Sequence, residues 1–366
     1  MPIPDNSSYA RAAARVMQEQ LPSPRPAEGP SLLVLRALSM GEVMTGVPAV
    51  RALTRAFPHH RLTVAGPPAY ADFLTLAGVP HRVLDASGPE TPQWPEARPP
   101  DLAVNLHGHG PESIAALHAL RPRELWSYAH PDFPDLRGPR WPAGEHDVDL
   151  WCRMLGYYGV RADPTDLRLW APPQPSRRPG AVLLHPGAAF PARRWPELRF
   201  AQVARWLRSR GHEVVVTGSR SELPLALRVA RVAGLDERAV MAGRTSPNEL
   251  AALVAESTMV ICGDTGVAQL ATAYATPSVV LFGAAHPEVW GPRIDPWLHI
   301  CLRLPAPRQP RRSRTHHGLL RITDNDVIAA AEELFARLEA ATAAQGPPRP
   351  RTAAEDTAGA RSAGRP

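Results

Sequence analysis

The stretch VICGDTGVAQLATAYATPSVVLFG, residues 260–283, decides how the fold of the whole chain is interpreted. Apolar runs at residues 258–262 and 278–282 contain several β-branched side chains and no polar alternation. That composition is typical of strands covered on both faces, as in a parallel sheet. Residues 267–274 lie between them with a helical pattern, so the stretch predicts a strand, a tight turn, a helix and a second strand.

The tight turn, Gly263-Asp264-Thr265-Gly266, is a predicted phosphate site. Asp264 or Thr265 can cap the helix, and the two glycines allow the backbone to come close to a ligand. A strand that turns directly into a helix presents unpaired backbone N–H groups, which favour phosphate. The alternative is an ordinary βαβ unit with a capped helix.

The first half of the chain begins with a similar unit. Strand 32–36 leads through a glycine-bearing turn into helix 43–56 and strand 62–65, and strand 102–106 follows later. In such units the ligand end is the turn after the strand. Residues 147–158 then predict an amphipathic helix.

The second half repeats the pattern after a proline-rich connector, residues 172–179. Pro196 is expected at the first position of a helix and Gly211 at its C-terminal cap. The predicted elements are strand 181–185, helix 196–209, strand 213–217, helix 223–233, strand 239–241 and helix 247–256. Alternating strands and helices on both sides of a connector predict two Rossmann-like, doubly wound α/β domains.

Four groups of residues resemble motifs of glycosyltransferase family 9, whose best-known members are heptosyltransferases, and they occur in the family's order. The resemblance covers about residues 32–338. The matching residues are Leu35-Arg36, Gly41-Glu42 and Pro48; His185 to Ala188 with Arg193 to Pro196; Thr217-Gly218 with Glu222; and Asp264 to Gly266, Leu270-Ala271, Pro277 and Phe282-Gly283.

The resemblance implies the two-domain glycosyltransferase B arrangement, with an active site in the cleft. It also implies an inverting, metal-independent transfer of heptose or a related sugar from a nucleotide sugar, expected to be ADP-linked, without a cofactor. The expected division is a mobile arm 1–30, an acceptor-side domain 31–175, a nucleotide-sugar-binding domain 176–320, a C-terminal helix 321–343 and a disordered tail 344–366.

Glu42 is the expected general base, because the resemblance implies a carboxylate there, usually Asp. The alternative is a helix-start carboxylate that interacts only with the helix dipole. Arg193 stands where the family has a phosphate-contacting Lys, and Arg can bind a diphosphate bidentately. Arg194 could contact the phosphate instead. The alternative is that Arg193 and Arg194 are simply a pair of surface residues.

Further donor contacts are expected from the second half. Glu222 could accept hydrogen bonds from ribose hydroxyls, or it could be an exposed first-turn carboxylate. The backbone N–H groups of Thr265, Gly266 and Val267 complete the predicted diphosphate site beside Asp264. Gln269 occupies the position that the family usually gives to His.

The acceptor-side candidates lie on two loops of the first half. Ser39 and Gly41 precede Glu42, and His107 and His109 lie on the glycine-rich loop after strand 102–106. Two His residues could hold a metal, but no third ligand has a suitable spacing, so acceptor binding or a polar loop is favoured. No metal site is predicted.

Two other loops are expected near the surface. Residues 284–292, with His286 and Trp290, are expected over the cleft mouth. The loop 305–315 is predicted to be solvated, with contact to an anionic acceptor as the alternative; its arginines are Arg308, Arg311, Arg312 and Arg314. Thr323 is the expected N-cap of a final helix, residues 324–341.

The composition agrees with a cytoplasmic enzyme. The net charge is +6, from 41 basic and 35 acidic residues, and no lysine occurs. A basic balance suits anionic nucleotide sugars or a membrane surface better than nucleic acid, but the arginines are dispersed, so coding bias is the favoured explanation. Three scattered cysteines indicate a reducing compartment, and neither a membrane span nor a secretory signal is evident.

Three functions are compatible with these features. The first is glycosyl transfer to a hydroxyl acceptor. The others are epimerisation of a nucleotide sugar on the same architecture, and binding of a nucleotide sugar without catalysis. A dehydrogenase is excluded, because no Gly-X-Gly-X-X-Gly follows either opening strand.

Overall fold

The structure is a computed structural model that describes residues 28–88, 91–306 and 315–345. Several expectations lie outside the described residues, namely most of the arm 1–30, the arginines Arg308, Arg311, Arg312 and Arg314, and the tail beyond residue 345. Within the described ranges, no helix has both the length and the hydropathy that crossing a bilayer requires.

The first sheet contains the strands β1 (Ser31–Leu35), β2 (Arg61–Gly66), β3 (Arg82–Asp85), β4 (Leu102–Asn105) and β5 (Glu124–Trp126). Their order is β3-β2-β1-β4-β5, and all neighbours are parallel. All five residues of β1 are buried, as expected for an apolar strand with both faces covered.

The second sheet contains β6 (Val182–His185), β7 (Val214–Val216), β8 (Met259–Gly263), β9 (Ser278–Phe282) and β10 (His299–Arg303). Their order is β10-β9-β8-β6-β7, again with parallel neighbours. Val240 forms a single parallel bridge to Val216 at the outer edge. The strands 258–262 and 278–282 that the sequence predicts are therefore confirmed within one residue.

Helices cover both sheets. They are α1 (Met40–Thr45), α2 (Val47–Ala56), α3 (Ala71–Leu76), α4 (Pro111–His118), α5 (Asp147–Tyr157), α6 (Glu197–Ser209), α7 (Leu223–Ala233), α8 (Pro247–Ala255), α9 (Gly266–Ala273), α10 (Pro287–Trp290), α11 (His317–Arg321) and α12 (Asp324–Gln345). Thr323 caps α12 as expected, since its hydroxyl accepts from the Asp326 amide at 3.2 Å.

The two sheets have the same winding. The first strand of each half lies inside its sheet, with β2 and β4 flanking β1, and β7 and β8 flanking β6. The chain therefore reverses its winding direction beside β1 and beside β6. Ligands of open α/β sheets bind outside the carboxyl ends of the strands at such points. This topology confirms the prediction of two doubly wound domains.

Three local predictions are wrong. The helix expected at 43–56 is two helices, because the chain bends at Gly46, where a Cβ would lie 2.9 Å from Nε of Arg36. The expected strand 239–241 is a 3-10 turn, Glu237–Ala239, followed by the Val240 bridge. Pro196 is the residue before α6, not its first residue.

The two domains contact each other where α1 meets α9 and through several polar side chains. Nε2 of His146 lies 2.9 Å from the carbonyl oxygen of Gly291, and Nε of Arg293 lies 3.1 Å from a carboxylate oxygen of Asp149. Arg168 donates to the Thr272 carbonyl at the end of α9 at 2.8 Å. These contacts hold the carboxyl ends of the two sheets face to face.

Candidate functional site

The start of α1 places Glu42 at the carboxyl end of β1. Ser39 precedes the helix, and its backbone N–H and hydroxyl donate to Oε2 of Glu42 at 2.9 and 2.7 Å. This capping box orients the carboxylate and explains why Ser-X-X-Glu occurs at this turn. Both bonds are made to Oε2 and neither uses Oε1, which agrees with the helix-start interpretation of Glu42.

The starts of α1 and α9 meet across the cleft at two glycines. A Cβ on Gly266 would lie 2.8 Å from the amide nitrogen of Gly41, and a Cβ on Gly41 would lie 3.3 Å from Cα of Gly266. Larger residues would separate the two helix starts. The backbone at Gly266 therefore lies close to the other domain, whereas the sequence predicted a close approach to a ligand.

Asp264 and Arg193 form the charged part of the second-domain face. NH1 of Arg193 lies 3.8 Å from Oδ2 of Asp264, and the Arg193 side chain is about half exposed. Burial raises the pKa of Asp264; the Arg193 charge opposes this rise, and the Glu42 carboxylate across the cleft adds to it. The two predicted site carboxylates therefore share one electrostatic environment.

The first turn of α9 follows directly from Asp264. Thr265 is its N-cap residue, with extended backbone and no side-chain capping bond. The amides of the first turn, including those of Gly266 and Val267, lack acceptors within the helix. This part of the turn can bind an anion, and Arg193 supplies a cation beside it.

Gln269 lies one turn further along α9 and is buried. Its Nε2 donates to the carbonyl oxygen of Trp290 at 2.8 Å. Trp290 ends the short helix α10, within the loop that the sequence places over the cleft mouth. Gln269 therefore ties that loop to α9, a role an uncharged amide can perform.

Glu222 is buried against the turn after β6. Ser219 donates to Oε2 of Glu222 through its N–H at 2.8 Å and its hydroxyl at 2.9 Å, a second Ser-X-X-Glu capping box. A Cβ on Gly187 would lie 2.3 Å from the carboxylate. Burial alone would raise the pKa of Glu222, but the Ser219 bonds and the charges of His185 and Arg194 bring it below its usual value. The exposed-carboxylate alternative is wrong, since only 8% of the residue is exposed.

Arg194 differs from Arg193 in its partners. Its Nε and NH2 both donate to the carbonyl oxygen of Ala188, at 3.0 and 2.9 Å. That bidentate bond closes the loop between β6 and α6. The guanidinium of Arg193 is the more exposed of the two and is the one that pairs with Asp264.

His107 and His109 follow β4, beside β1 at the same sheet edge. The Nδ1 atom of His107 is buried without a hydrogen-bond partner. Burial lowers the pKa of His107, as does the Arg36 charge, while Glu42 opposes that change. The exposed His109 ring stacks on Trp141 at 4.1 Å between centroids. Among the described residues, no three His, Cys, Asp or Glu side chains are grouped as metal ligands would be.

The sequence interpretation assigned no role to Arg36 and missed Asp147. Arg36 is buried, and its NH2 lies 2.8 Å from Oδ2 of Asp147. The available signal was an arginine at the end of an apolar strand, since a buried charge requires a partner. Nothing in the sequence identified Asp147 as that partner.

The family resemblance is supported by comparison with known proteins. The model of the family described as "Glycosyltransferase family 9 (heptosyltransferase)" matches residues 162–318. Lipooligosaccharide heptosyltransferase 2 of Haemophilus influenzae is 31% identical over 160 residues, which are 42% of this chain and 46% of that protein. The chain thus spans about half the length of the curated relatives it matches.

Solved structures extend the similarity of fold to both domains. The ADP-heptose lipopolysaccharide heptosyltransferase II of Escherichia coli aligns with a TM-score of 0.67 and 19% identity, covering 84% of this chain and 99% of that one. The Escherichia coli heptosyltransferase WaaC with ADP-2-deoxy-2-fluoro heptose aligns with a TM-score of 0.59 and 18% identity, covering 83% and 99%. The glycosyltransferase B architecture is therefore confirmed, and residues 162–318 are similar to glycosyltransferase family 9.

Proposed function

We propose that this protein is an inverting, metal-independent glycosyltransferase that moves heptose or a related sugar from an ADP-linked donor to a hydroxyl acceptor. One observation carries the proposal. The start of α9, with Asp264 and Arg193 beside it, lies directly against the start of α1, which bears Glu42. An anion-binding helix start and a candidate base thus face one cleft.

The donor half of the reaction uses the second domain. The diphosphate binds the first-turn amides of α9, and Arg193 neutralises the charge that develops as the nucleoside diphosphate departs. Asp264 pairs with Arg193 when no anion is bound and limits the positive charge there. Glu222 is held by Ser219 near the turn after β6, where it can accept from ribose hydroxyls.

The acceptor half uses the first domain. Glu42 takes the proton from the acceptor hydroxyl, and that oxygen forms a bond to the anomeric carbon. The bond from that carbon to the diphosphate oxygen breaks with its electron pair, and the nucleoside diphosphate leaves from the opposite face. A single displacement of this kind inverts the anomeric configuration. Ser39 keeps the Glu42 carboxylate oriented, and His107 borders the acceptor space.

The choice of donor rests on the comparisons. The matching family is described as heptosyltransferase, and one structure of the same fold is described with an ADP-linked fluorinated heptose. Neither epimerisation nor binding without catalysis is favoured by these similarities. A cytoplasmic location and peripheral contact with a membrane that carries the acceptor are parts of the same proposal.

The test is a transfer assay with ADP-, GDP-, UDP- and dTDP-linked sugars, each offered to free sugars and to membrane glycolipids. We expect ADP-heptose to raise the melting temperature most and to give a glycosylated product of inverted configuration, with activity retained in EDTA. Epimerised donor formed without acceptor would establish the epimerase alternative. Tight binding of a nucleotide sugar with no transfer to any acceptor would establish the binding protein.

A further inference from the structure

Arg36 occupies an unusual position for a charged side chain. It directly follows the buried strand β1 and is only 2% exposed. A guanidinium taken out of water requires compensating hydrogen bonds and a countercharge. All three of its nitrogens have partners, and these belong to α1, to the segment after β4 and to α5.

Two of the partners are backbone carbonyls at the candidate site. Nε of Arg36 donates to the carbonyl oxygen of Glu42 at 2.7 Å, and NH1 donates to the carbonyl oxygen of Leu106. Leu106 immediately precedes His107. A single planar guanidinium therefore fixes the backbone of the candidate base and of the loop that carries the neighbouring imidazole.

The countercharge is Asp147, at the start of α5. NH2 of Arg36 donates to Oδ2 of Asp147 at 2.8 Å and to the hydroxyl of Thr45 at 2.9 Å, and that hydroxyl also donates to Asp147 at 2.5 Å. The guanidinium carbon lies 4.8 Å above the Trp151 ring. The bonds and the packing leave the guanidinium no alternative position.

The same part of α5 contacts the second domain. His146, the N-cap residue of α5, lies with Nε2 2.9 Å from the Gly291 carbonyl oxygen. Gly291 directly follows Trp290, whose carbonyl oxygen accepts from Gln269 of α9. The arginine network is therefore linked through α5 to the helix whose start is the candidate phosphate site.

We propose that the Arg36–Asp147 pair is the positioning element of the reaction, setting where the Glu42 carboxylate stands relative to the donor. The proposal rests on the proposed function, in which Glu42 is the base. Arg36 touches no substrate in this mechanism. It acts through the backbone of Glu42, so its loss reduces turnover and leaves donor binding unchanged.

A second buried arginine provides a matched control. Arg51 of α2 is 7% exposed, pairs with Asp166 at 2.6 Å and donates to the carbonyls of Ala77 and Arg168. None of these partners is a candidate site residue. If Arg36 only stabilised the fold, replacing Arg36 and replacing Arg51 should have the same effect on turnover at a temperature where both variants are folded.

The experiment compares the double variant Arg36→Met/Asp147→Leu with Arg51→Met/Asp166→Leu. Both partners are replaced because a buried charge left alone could prevent folding. For the first double variant we expect kcat to fall about 10–100-fold, since displacement of a catalytic group by about 1 Å has effects of that size. The donor Kd should change by less than about twofold on this account. The control should retain kcat even if its melting temperature falls equally.

Glu42→Gln in both backgrounds separates this inference from the proposed function. If Arg36 acts through Glu42, adding Arg36→Met/Asp147→Leu to Glu42→Gln should lower kcat by about twofold or less. Effects of residues that act as one unit are not additive. Additive losses, or equal losses in both double variants, would overturn the positioning role. Wild-type turnover in Glu42→Gln alone would instead overturn the assignment of the base. Arg36→Lys, which keeps the charge but not the planar fork, should give intermediate turnover.

Discussion

Gly41 and Gly266 bring the two helix starts of the site into backbone contact, and position 266 has no room for a side chain. A Cβ on Gly266 would lie 2.8 Å from the Gly41 amide nitrogen and 2.5 Å from Cε of Met40. Gly266→Ala should therefore displace α1 from α9 and reduce transfer about 10–100-fold, since small displacements at a reacting centre have effects of this size. Steady-state kinetics and small-angle X-ray scattering would measure both consequences.

Gly156→Ala is the control for that substitution. Gly156 lies in α5, and a Cβ there would meet nothing within 4 Å. Alanine should stabilise the helix by about 0.5–1 kcal/mol and leave transfer unchanged. Equal activity in Gly266→Ala and Gly156→Ala would show that the glycine contact is not needed for the reaction.

Arg193 is expected to hold the donor diphosphate. A charge-assisted bond of this kind contributes about 1.5–3 kcal/mol, so Arg193→Ala should weaken binding of the nucleoside diphosphate roughly 10–100-fold. Arg193→Lys should recover part of that loss, because it keeps the charge without the bidentate geometry. Isothermal titration would measure both variants.

The control for Arg193 is Arg210, on the same domain. Its side chain is 58% exposed, close to the 49% of Arg193, and it pairs with Glu332 at 2.7 Å. Arg210→Ala should leave affinity unchanged. If Arg193→Ala binds the nucleotide as tightly as Arg210→Ala does, the phosphate contact must be assigned to another group, with Arg194 as the next candidate.

His299 should make the folded state sensitive to acid. Burial, together with the Arg168 charge, lowers the pKa of His299 from 6.5 to about 4. Between these values the unfolded chain binds a proton that the folded chain does not, so stability is lost as the pH falls from 6.5 towards 4. By pH 5 this amounts to about 2 kcal/mol.

Urea unfolding at pH 7 and pH 5 would test that expectation. His299→Asn removes the titrating ring, so the variant should lose about 2 kcal/mol less than the wild type over this interval. The exposed His118, replaced by Gln, is the control and should behave as wild type. An equal loss in wild type and His299→Asn would mean that other groups set the acid sensitivity.

The strands that the sequence predicted are those with continuous apolar runs. The strand Ser278–Phe282 was predicted to the residue, because burial on both faces requires every position to be apolar. The edge strands Arg82–Asp85, Glu124–Trp126 and His299–Arg303 were not predicted. Many of their side chains are partly or fully exposed, so the positions need not all be apolar.

The site divides in the same way. The turns of the site were predicted because each has a glycine between a strand and a helix, which is typical of a ligand-binding turn. Glu42 and Asp264 lie on these turns. The pair formed by Arg36 and Asp147 was not predicted, because 111 residues separate its members. Only the parallel order of β1 and β4 and the packing of α5 bring them together.

Glu42 decides between an enzyme and a binding protein. If it is the base, Glu42→Gln should reduce turnover about 10²–10⁴-fold, which is the usual contribution of general-base catalysis. Donor affinity should barely change, because the proposed donor contacts lie in the second domain. Glu42→Asp should retain more activity than Gln, since a carboxylate remains. Transfer and donor hydrolysis would be followed separately in each variant.

Glu42→Gln removes both a candidate base and a helix cap, and a substitution at a second capping carboxylate distinguishes the two effects. Asp326 receives bonds from the N–H and hydroxyl of Thr323 at 2.7 and 2.8 Å, as Glu42 does from Ser39, but at the start of α12. Asp326→Asn weakens a cap of the same type, which is worth about 0.5–2 kcal/mol, and should leave turnover at the wild-type value. Wild-type turnover in Glu42→Gln as well would reduce Glu42 to a capping residue. The base would then have to be sought at the same sheet edge, where the buried, unpartnered Nδ1 of His107 is the nearest alternative.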